Sequence, residues 1–260
     1  MLNLFNVDNA STFQNMLADV GRTITVNNTD TMQAIITNTK LESNYDDRKV
    51  STLEQLECGD LIEYNNKSYM VISEVNDKRY GHYKGIMRHL PHQITFNVNC
   101  RFQTVSAYIE NSNPSFTGGQ VITLIEDKII VYMPAKSIHL NLTSGNEFMI
   151  HGNKFKIITM DTFSKTGIAI LTCKREQTNP AADDIEHNIA DGLACPINIT
   201  NSKPISIELN STLQLYWTSP YNAPVIFKSS DTSIATVDAE GLVTGIAEGD
   251  VTITATNSSN

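Results

Sequence analysis

The sequence predicts a mainly β protein, with an N-terminal helix, two tandem small β-barrel-like domains that are copies of one another, and a C-terminal β-sandwich. Three observations lead to this prediction. A hairpin motif occurs twice. Both copies lie in longer stretches where apolar residues alternate with polar ones, as in half-buried strands. Residues 205–256 contain short alternating segments between Gly and Asp turns, which is typical of a β-sandwich.

The repeated motif begins at Gly59 and again at Gly145, and the two copies align without a gap. The first copy reads GDLIEYNNKSYMVI and the second reads GNEFMIHGNKFKII. Each has two alternating apolar runs around a polar tip, Asn-Asn in one copy and Gly-Asn in the other, and these residues tolerate the positive φ of a tight turn. Two such copies in similar surroundings indicate a duplicated β-domain.

An amphipathic helix is predicted over residues 9–21. Its supporting residues are the apolar face Phe13, Met16, Leu17 and Val20, the candidate N-caps Asn9 and Ser11, and the terminating glycine Gly21. We expect this helix to pack on the β-domain that follows it. The alternative is that it docks on a neighbouring subunit.

The first barrel-like domain is predicted to cover residues 1–100. Arg22–Val26 and Met32–Thr37 are expected to form a hairpin across a polar turn. The first copy of the repeated motif follows, and Ile94–Val98 is expected to close the domain.

The second barrel-like domain is predicted to cover residues 101–175. Val121–Ile125 and Ile129–Met133 are expected to pair around Glu126–Lys128, and Gly167–Cys173 is expected to be a buried strand.

Residues 176–203 are predicted to form a linker that contains a short helix at Ile185–Ala190. Gly192, Pro196 and Pro204 interrupt the chain around its end. The β-sandwich then occupies residues 204–260.

The composition is that of a globular protein with an excess of acidic residues. There are 28 Asp and Glu against 19 Lys and Arg, for a formal net charge of −9, and acidic residues outnumber basic ones in segments 1–100, 101–194 and 195–260 alike. This argues against a protein whose main role is to bind nucleic acid. The four cysteines lack metal-site spacing, so reduced cytoplasmic thiols are predicted. No secretory leader and no long apolar span is visible, so assembly inside a cell without a membrane partner is expected.

Three motifs occur in order near the C-terminal end: SSDTSIATVD from Ser229, GLVTG from Gly241 and GDVTITA from Gly249. They resemble the bacterial immunoglobulin-like domain of group 2, which occurs in bacterial adhesins and in tailed-phage virion proteins. The resemblance implies an immunoglobulin-like β-sandwich that acts as a spacer, a decoration or a weak binding module. Because an adhesin has to be exported, the lack of a visible export signal favours a virion protein that is assembled in the host cytoplasm.

The N-terminal part has a helix ending in glycine, the strand AIITNTK at Ala34–Lys40, and the hairpin GDLIEY…YMVIS. It resembles the small β-barrel proteins that close the head-to-tail channel of long-tailed phages. The resemblance implies a homo-oligomeric head–tail connector ring (head-closure or neck position) that contacts other virion proteins, such as portal, adaptor or tail proteins, near channel DNA. A surface adhesion or glycan-binding protein and a tail or baseplate component are the alternatives.

No catalytic or nucleotide-binding motif is present, including G-x-S-x-G, the P-loop, H-E-x-x-H and G-x-G-x-x-G. We therefore predict no enzyme activity and no cofactor. The acidic pairs Asp46-Asp47 and Asp183-Asp184 are interpreted as solvated loop charges, and Cys58 as a small buried residue.

Residues 78–92 form the strongest local cluster of basic and aromatic residues. They are interpreted either as an exposed loop or as a surface that contacts a partner subunit or channel DNA. The candidate contact residues are Lys78, Arg79, Tyr80, Tyr83, Lys84 and Arg88. A metal site made of His82, His89 and His92 matches no common ligand spacing, so no metal is predicted.

Three aromatic residues near Pro220 are candidates for glycan contact: Tyr216, Trp217 and Tyr221. Exposed aromatic rings can stack on sugars. The alternative is that Trp217 belongs to the core of the sandwich, as a lone Trp in an immunoglobulin-like domain usually does.

Overall fold

The structure is a computed structural model, and it describes residues 9–39, 46–75, 81–111, 127–201, 205–219 and 225–257. Of the described residues, 52% are in strands and 8% are helical. Within the described residues there is one α-helix, α1 (Asn9–Val20), and two closed barrels of six strands follow in tandem, with an immunoglobulin-like region after them. The predicted fold class is therefore confirmed. No helix in the described part of the chain has the length and apolarity needed to cross a membrane.

The first barrel closes through a single antiparallel circuit. Its strands are β1 (Arg22–Val26), β2 (Asp30–Asn38), β3 (Asp47–Thr52), β4 (Leu61–Tyr64), β5 (Lys67–Val71) and β6 (Tyr83–His89). They are ordered β1-β2-β3-β6-β5-β4, and β1 pairs with both β2 and β4. Alternate residues point inward, and Ile24, Ile62, Tyr69 and Met87 are among the fully buried members of the core.

The second barrel has the same cyclic strand order. Its strands are β7 (His92–Val98), β8 (Arg101–Asn111), β9 (Lys128–Pro134), β10 (Glu147–Ile150), β11 (Asn153–Asp161) and β12 (Ile168–Glu176), in the order β10-β11-β12-β9-β8-β7. Equivalent bonds fix both copies of the motif, because the Gly59 N–H donates to the Val71 carbonyl at 2.7 Å and the Gly145 N–H to the Ile157 carbonyl at 2.8 Å. The two copies thus share topology and local geometry.

The strand predicted to close the first domain belongs to the second barrel. Phe96 of β7 lies opposite Phe148 of β10, and their rings meet edge to face at 5.3 Å. The first barrel is already closed by the pairing of β1 with β4, so it offers no strand edge to β7. The predicted strand Val121–Ile125 lies outside the described residues.

The two barrels pack together through a small apolar cluster. Leu61, Met70 and Leu90 of the first barrel are buried with Ile168 of the second. Beside this cluster the backbones at Gly59 and Gly167 approach so closely that a Cβ atom on either residue would lie 1.9 Å from a carbonyl oxygen of the opposite chain segment. Lys136 from the second barrel also contacts Asp60 at 3.0 Å. These contacts explain why a glycine is needed at each position.

The predicted short helix in the linker is wrong. Residues 184–189 form a tight turn closed by an isolated antiparallel bridge between Asp184 and Ile189. The Asp184 carboxylate accepts a hydrogen bond from the His187 N–H at 3.1 Å, and Asn188 adopts a positive φ of 56°. Local side-chain bonds of this kind compete with helix formation. A short 3₁₀-helix follows at Gly192–Ala194.

The immunoglobulin-like region begins inside the predicted linker. Its first strand, β13 (Asn198–Ile199), pairs with β15 (Trp217–Thr218). The remaining strands are β14 (Thr212–Gln214), β16 (Val225–Ser229), β17 (Ala235–Val237), β18 (Leu242–Gly245) and β19 (Ile253–Asn257). They form a β14-β18-β17 sheet and a β16-β19 pair around a core that includes Leu215, Ala235 and Val243.

The prediction of four reduced thiols is wrong for one pair. Cys100 and Cys195 form a disulfide with their Cα atoms 5.6 Å apart, although 95 residues separate them in sequence. Spacing along the chain carries no information about a contact that the tertiary fold creates. Cys58 is a half-buried free thiol, and Cys173 is a buried one whose pKa is raised to about 12 by burial.

Candidate interaction surfaces

The main candidate site is a groove between α1 and the outer face of the first barrel. It has a volume of about 730 Å³ and is built on β2, β3 and β6, whose outward residues include Ile35, Lys49, Lys84 and Ile86. Phe13 anchors the helix over it, because its ring stacks on His82 with centroids 4.1 Å apart. The floor of the groove is therefore partly apolar and carries basic side chains.

Much of the apolar face of α1 stays accessible beside this groove. Phe13 is buried, but Met16 is 49% exposed and Val20 is 54% exposed. The sequence pattern identified the apolar face correctly, yet only part of that face packs on the barrel. The exposed part is an apolar strip next to a groove, which suits a protein partner.

The structure places the described members of the predicted basic cluster on β6. Tyr83 packs against the barrel core, whereas Lys84 is exposed and lines the groove. Their side chains point in opposite directions because successive strand residues alternate between the two faces of a sheet. Lys78, Arg79 and Tyr80 lie outside the described residues.

Arg88 forms an ion pair and an aromatic contact within the protein. Its Nε and Nη2 atoms each donate to the Asp47 carboxylate at 2.8 Å, and its guanidinium lies 5.3 Å from the centre of the Tyr108 ring. Such a bidentate pair has fixed geometry. A phosphate at this position would have to compete with Asp47, so Lys84 is better placed than Arg88 for contact with a partner.

The three histidines of the alternative metal site have separate surroundings. His82 stacks on Phe13, the His89 ring lies 5.4 Å from the Tyr69 ring, and His92 begins β7. Burial lowers the pKa of His89, and Lys67 lowers it further. Among the described residues, no cluster of three or more His, Cys, Asp or Glu side chains has an arrangement that could hold a metal ion.

Two of the three predicted glycan-contact residues, Tyr216 and Trp217, lie in the described part of the chain and differ in their exposure. Trp217 is half-buried and meets Phe227 edge to face with centroids 4.9 Å apart. A Cβ atom on Gly241 would lie 3.0 Å from the Trp217 ring, so the indole is also packed closely on that side. Tyr216 is 65% exposed. Tyr221 lies outside the described residues.

The sequence analysis missed one site, a charged cluster of Lys154, Glu147, Asp183 and Asp191 that we call the linker socket. Asp183 was interpreted as a solvated charge, but its side chain is fully buried and contacts Lys154 Nζ at 2.9 Å. Lys154 also contacts Glu147 at 2.6 Å and Asp191 at 3.5 Å. The interpretation of Asp183 was therefore wrong. Nothing in its loop-like local sequence indicated that a lysine from β11 would reach it.

The ionisation of the linker socket follows from these contacts. Burial alone would raise the pKa of Asp183, but hydrogen bonds from the Asp191 and Asn179 N–H groups and from Lys154 hold it below its ordinary value. Burial alone would likewise lower the pKa of Lys154, whereas its bonds to Glu147 and Asp183 raise it. Both groups are therefore charged at neutral pH, and the pair is an ionic anchor for the linker.

Family comparisons assign the parts of this fold. Residues 3–89 match the YomX N-terminal domain, residues 92–174 match the YomX C-terminal domain, and residues 202–260 match the bacterial Ig-like domain (group 2). The first two matches meet between β6 and β7, where one barrel ends and the other begins. No curated protein matches the chain.

These matches define the class of protein. YomX is a phage-type protein, and its two domains indicate a phage-associated structural protein, while the Ig-like domain indicates surface binding. The chain is therefore similar to both YomX domains over its two barrels and to the group 2 Ig-like domain after them, and the predicted resemblance of its C-terminal end is confirmed.

Proposed function

We propose that the protein is a structural component of a tailed-phage virion, where copies of it form or decorate the head–tail connector ring at the neck. The observation that carries this proposal is the pair of packed barrels beside an accessible, partly apolar groove, in a chain with phage-type domains. Its partners are further copies of the chain and other virion proteins, such as portal, adaptor or tail proteins. It acts by assembly in the host cytoplasm, without enzyme activity, cofactor or membrane.

The exposed apolar side chains of the barrels support self-association. Met16 lines the groove, the exposed Val20 lies one turn further along α1, and Phe163 is 83% exposed at the turn between β11 and β12. This turn is ordered by Asp161, whose Oδ1 accepts hydrogen bonds from the Phe163 and Ser164 N–H groups at 2.9 Å each. A large aromatic side chain that is exposed on an ordered turn suits a contact with another subunit. Because the turn and the groove are different surfaces, they suit the head-to-tail contacts of a ring.

The basic side chains of the groove give channel DNA a smaller role in this proposal. Lys49 and Lys84 line the groove together with Glu74, so its charge is mixed. Phosphate binding calls for several uncompensated basic groups. We therefore propose a protein partner for the groove and only proximity to DNA.

The test is the mass of the full chain, alone and mixed with phage capsids or tails, by native mass spectrometry and negative-stain microscopy. We expect a ring of about six or twelve copies, or density at the neck of the particle. In the double variant Met16→Ser/Val20→Ser the ring should dissociate at a protein concentration where the wild type is intact. The matched control is Tyr216→Ser, which removes an exposed aromatic side chain from the Ig-like domain. This variant should leave the oligomer intact. A monomer that binds neither capsids nor tails would refute the proposal.

A glycan-binding or adhesion function is the second candidate, and a tail or baseplate location is a variant of the first. The exposed Tyr216 side chain, in a class of domain linked to surface binding, favours the hypothesis of glycan binding. Glycan-array binding that is lost in Tyr216→Ala, with the monomer as the active form, would support it.

A further inference from the structure

We propose that the disulfide between Cys100 and Cys195 forms late: the linker first docks on the second barrel by non-covalent contacts, and a small-molecule disulfide then oxidises the two thiols. The biological timing of this oxidation rests on the proposed function, because a virion protein passes from a reducing cytoplasm to an oxidising medium at lysis. The order of the chemical events rests on the structure alone.

Cys100 lies where three parts of the chain meet. It occupies the turn between β7 and β8, in which Asn99 and Cys100 both have positive φ values, 54° and 59°. Its carbonyl accepts a hydrogen bond at 2.5 Å from Nδ2 of Asn257, the last residue of β19. Cys195 arrives from the linker. The disulfide therefore joins the linker to a turn that the Ig-like domain also contacts.

The docked linker is held by contacts that involve no sulfur. Nδ2 of Asn97 donates to the Asp191 carbonyl at 3.0 Å and to the Ala190 carbonyl at 3.3 Å. Oδ1 of Asn188 accepts from the Gly152 N–H at 2.7 Å. The ion pair of Lys154 with Asp183 adds a buried charge contact. These contacts place Cys195 next to Cys100 before any bond forms between them.

The contact of Asn97 with the Cys195 sulfur does not require the disulfide. Nδ2 of Asn97 donates to this sulfur at 3.6 Å. The sulfur of a free thiol is also a weak acceptor, so reduction leaves this contact in place. The docked linker is therefore compatible with free thiols.

The exposures of the two sulfur-bearing residues set the order of reaction. Cys195 is partly exposed, whereas Cys100 is 3% exposed. The Cys195 thiol loses its proton, and the thiolate attacks one sulfur of oxidised glutathione and releases one glutathione thiolate. The Cys100 thiolate then attacks the Cys195 sulfur of this mixed disulfide and releases the second glutathione thiolate. The two cysteines lose two electrons and two protons, and one molecule of oxidised glutathione becomes two of glutathione.

The test of docking uses the full chain, reduced with a phosphine and analysed by hydrogen exchange. We expect residues 177–195 to stay protected in the reduced wild type, and to lose protection in the reduced Lys154→Met variant. Circular dichroism checks that the barrels of the variant stay folded. If reduction of the wild type alone abolishes protection in this segment, the linker depends on the disulfide and the proposal is overturned.

The test of reaction order uses oxidised glutathione and intact-mass measurement. We expect Cys100→Ser to accumulate a glutathione adduct on Cys195 at least about tenfold faster than Cys195→Ser accumulates one on Cys100. Equal rates in the two variants would overturn the proposed order. The wild type should form the intramolecular disulfide without a lasting adduct.

Thiol trapping in infected cells separates this proposal from the proposed function. With the phage function correct, an alkylating agent added before lysis should label Cys100 and Cys195, and the same agent added to released particles should not. If the purified chain behaves as expected but no particles contain it, the virion function is refuted, while the proposed order of docking and oxidation is supported. If particles contain the chain but the pair is already oxidised before lysis, the late closure fails and the virion function stands.

Discussion

At the scale of the residue, two equivalent glycines of the duplication have different surroundings. Gly59 and Gly145 both have positive φ values, 86° and 98°. A Cβ atom at Gly59 would collide with the backbone of Gly167, whereas one at Gly145 would meet no atom within 4 Å. The sequence predicted the duplication but not this difference, because the collision arises from the packing of one barrel on the other.

Gly59→Ala should destabilise the protein more than Gly145→Ala does. The backbone conformation costs roughly 1–2 kcal/mol in either variant. At Gly59 a steric clash with an unyielding backbone adds to this, for a total of about 3 kcal/mol or more. The measurement is the free energy of unfolding in urea for both variants. Equal losses would mean that the two barrels do not pack at this point.

Asp183 gives the linker socket a dependence on pH that can be measured. Because its pKa is lower in the folded protein than its ordinary value of 3.8, its contribution to stability is present above pH 3.8 and is lost as pH falls through the lowered pKa. The difference in unfolding free energy between the wild type and Asp183→Asn should be constant from about pH 5 to pH 8 and should shrink below about pH 4. A difference that persists unchanged to about pH 2 would contradict this.

Lys154→Met should cost about 3 kcal/mol or more of unfolding free energy, because it leaves the buried Asp183 carboxylate without its counter-charge. The matched control is Lys174→Met, at an exposed position on β12, which should change stability by less than about 0.5 kcal/mol. Chemical denaturation at neutral pH measures both values. Similar losses in the two variants would argue against an ionic anchor.

At the scale of the element, α1 is held by few side chains. Among the α1 side chains that the structure describes, at residues 11–20, Phe13 is the buried one and stacks on His82, while Met16 and Val20 are exposed. Helical periodicity predicted the element and its apolar face. It could not predict how much of that face the barrel would cover, because the same spacing suits a tertiary contact and a contact with another subunit.

Phe13→Ala should release α1 without unfolding the first barrel. Hydrogen exchange in residues 9–20 should speed up by at least about tenfold, while the β-strands keep their protection, because α1 lies outside the barrel core. Met16→Ala is the control and should leave exchange in the monomer unchanged. Loss of protection in β2 and β3 together with the helix would show that the helix and the barrel unfold as one unit.

At the scale of the whole molecule, the sequence predicted the two barrels and the Ig-like region, but it did not predict how the linker is attached. Strands and hairpins are local in sequence, so alternation and turn residues indicate them. The linker depends on Lys154, Asn97 and Cys100, which lie far from residues 177–195 in the chain and belong to strands and turns of the second barrel. Contacts of this kind leave no periodic pattern. For the same reason the closing strand of the first domain was assigned to the wrong barrel.

The disulfide should stabilise the whole chain against unfolding. It closes a segment of 95 residues, and chain entropy gives such a cross-link an upper value of about 4.7 kcal/mol. Cys100→Ser/Cys195→Ser should therefore unfold at lower urea concentration than the oxidised wild type and close to the reduced wild type. A double variant as stable as the oxidised protein would show that the cross-link acts on neither the folded nor the unfolded state.

The linker socket also limits which barrel this linker can follow. Lys154 and Glu147 in the second copy of the motif correspond to Ser68 and Leu61 in the first, which lack the charges that the linker needs. The two repeats are therefore not interchangeable as supports for the C-terminal segment. A chimeric chain that joins this linker to another barrel would keep the ionic anchor only where that barrel supplies a lysine and a glutamate at these two positions.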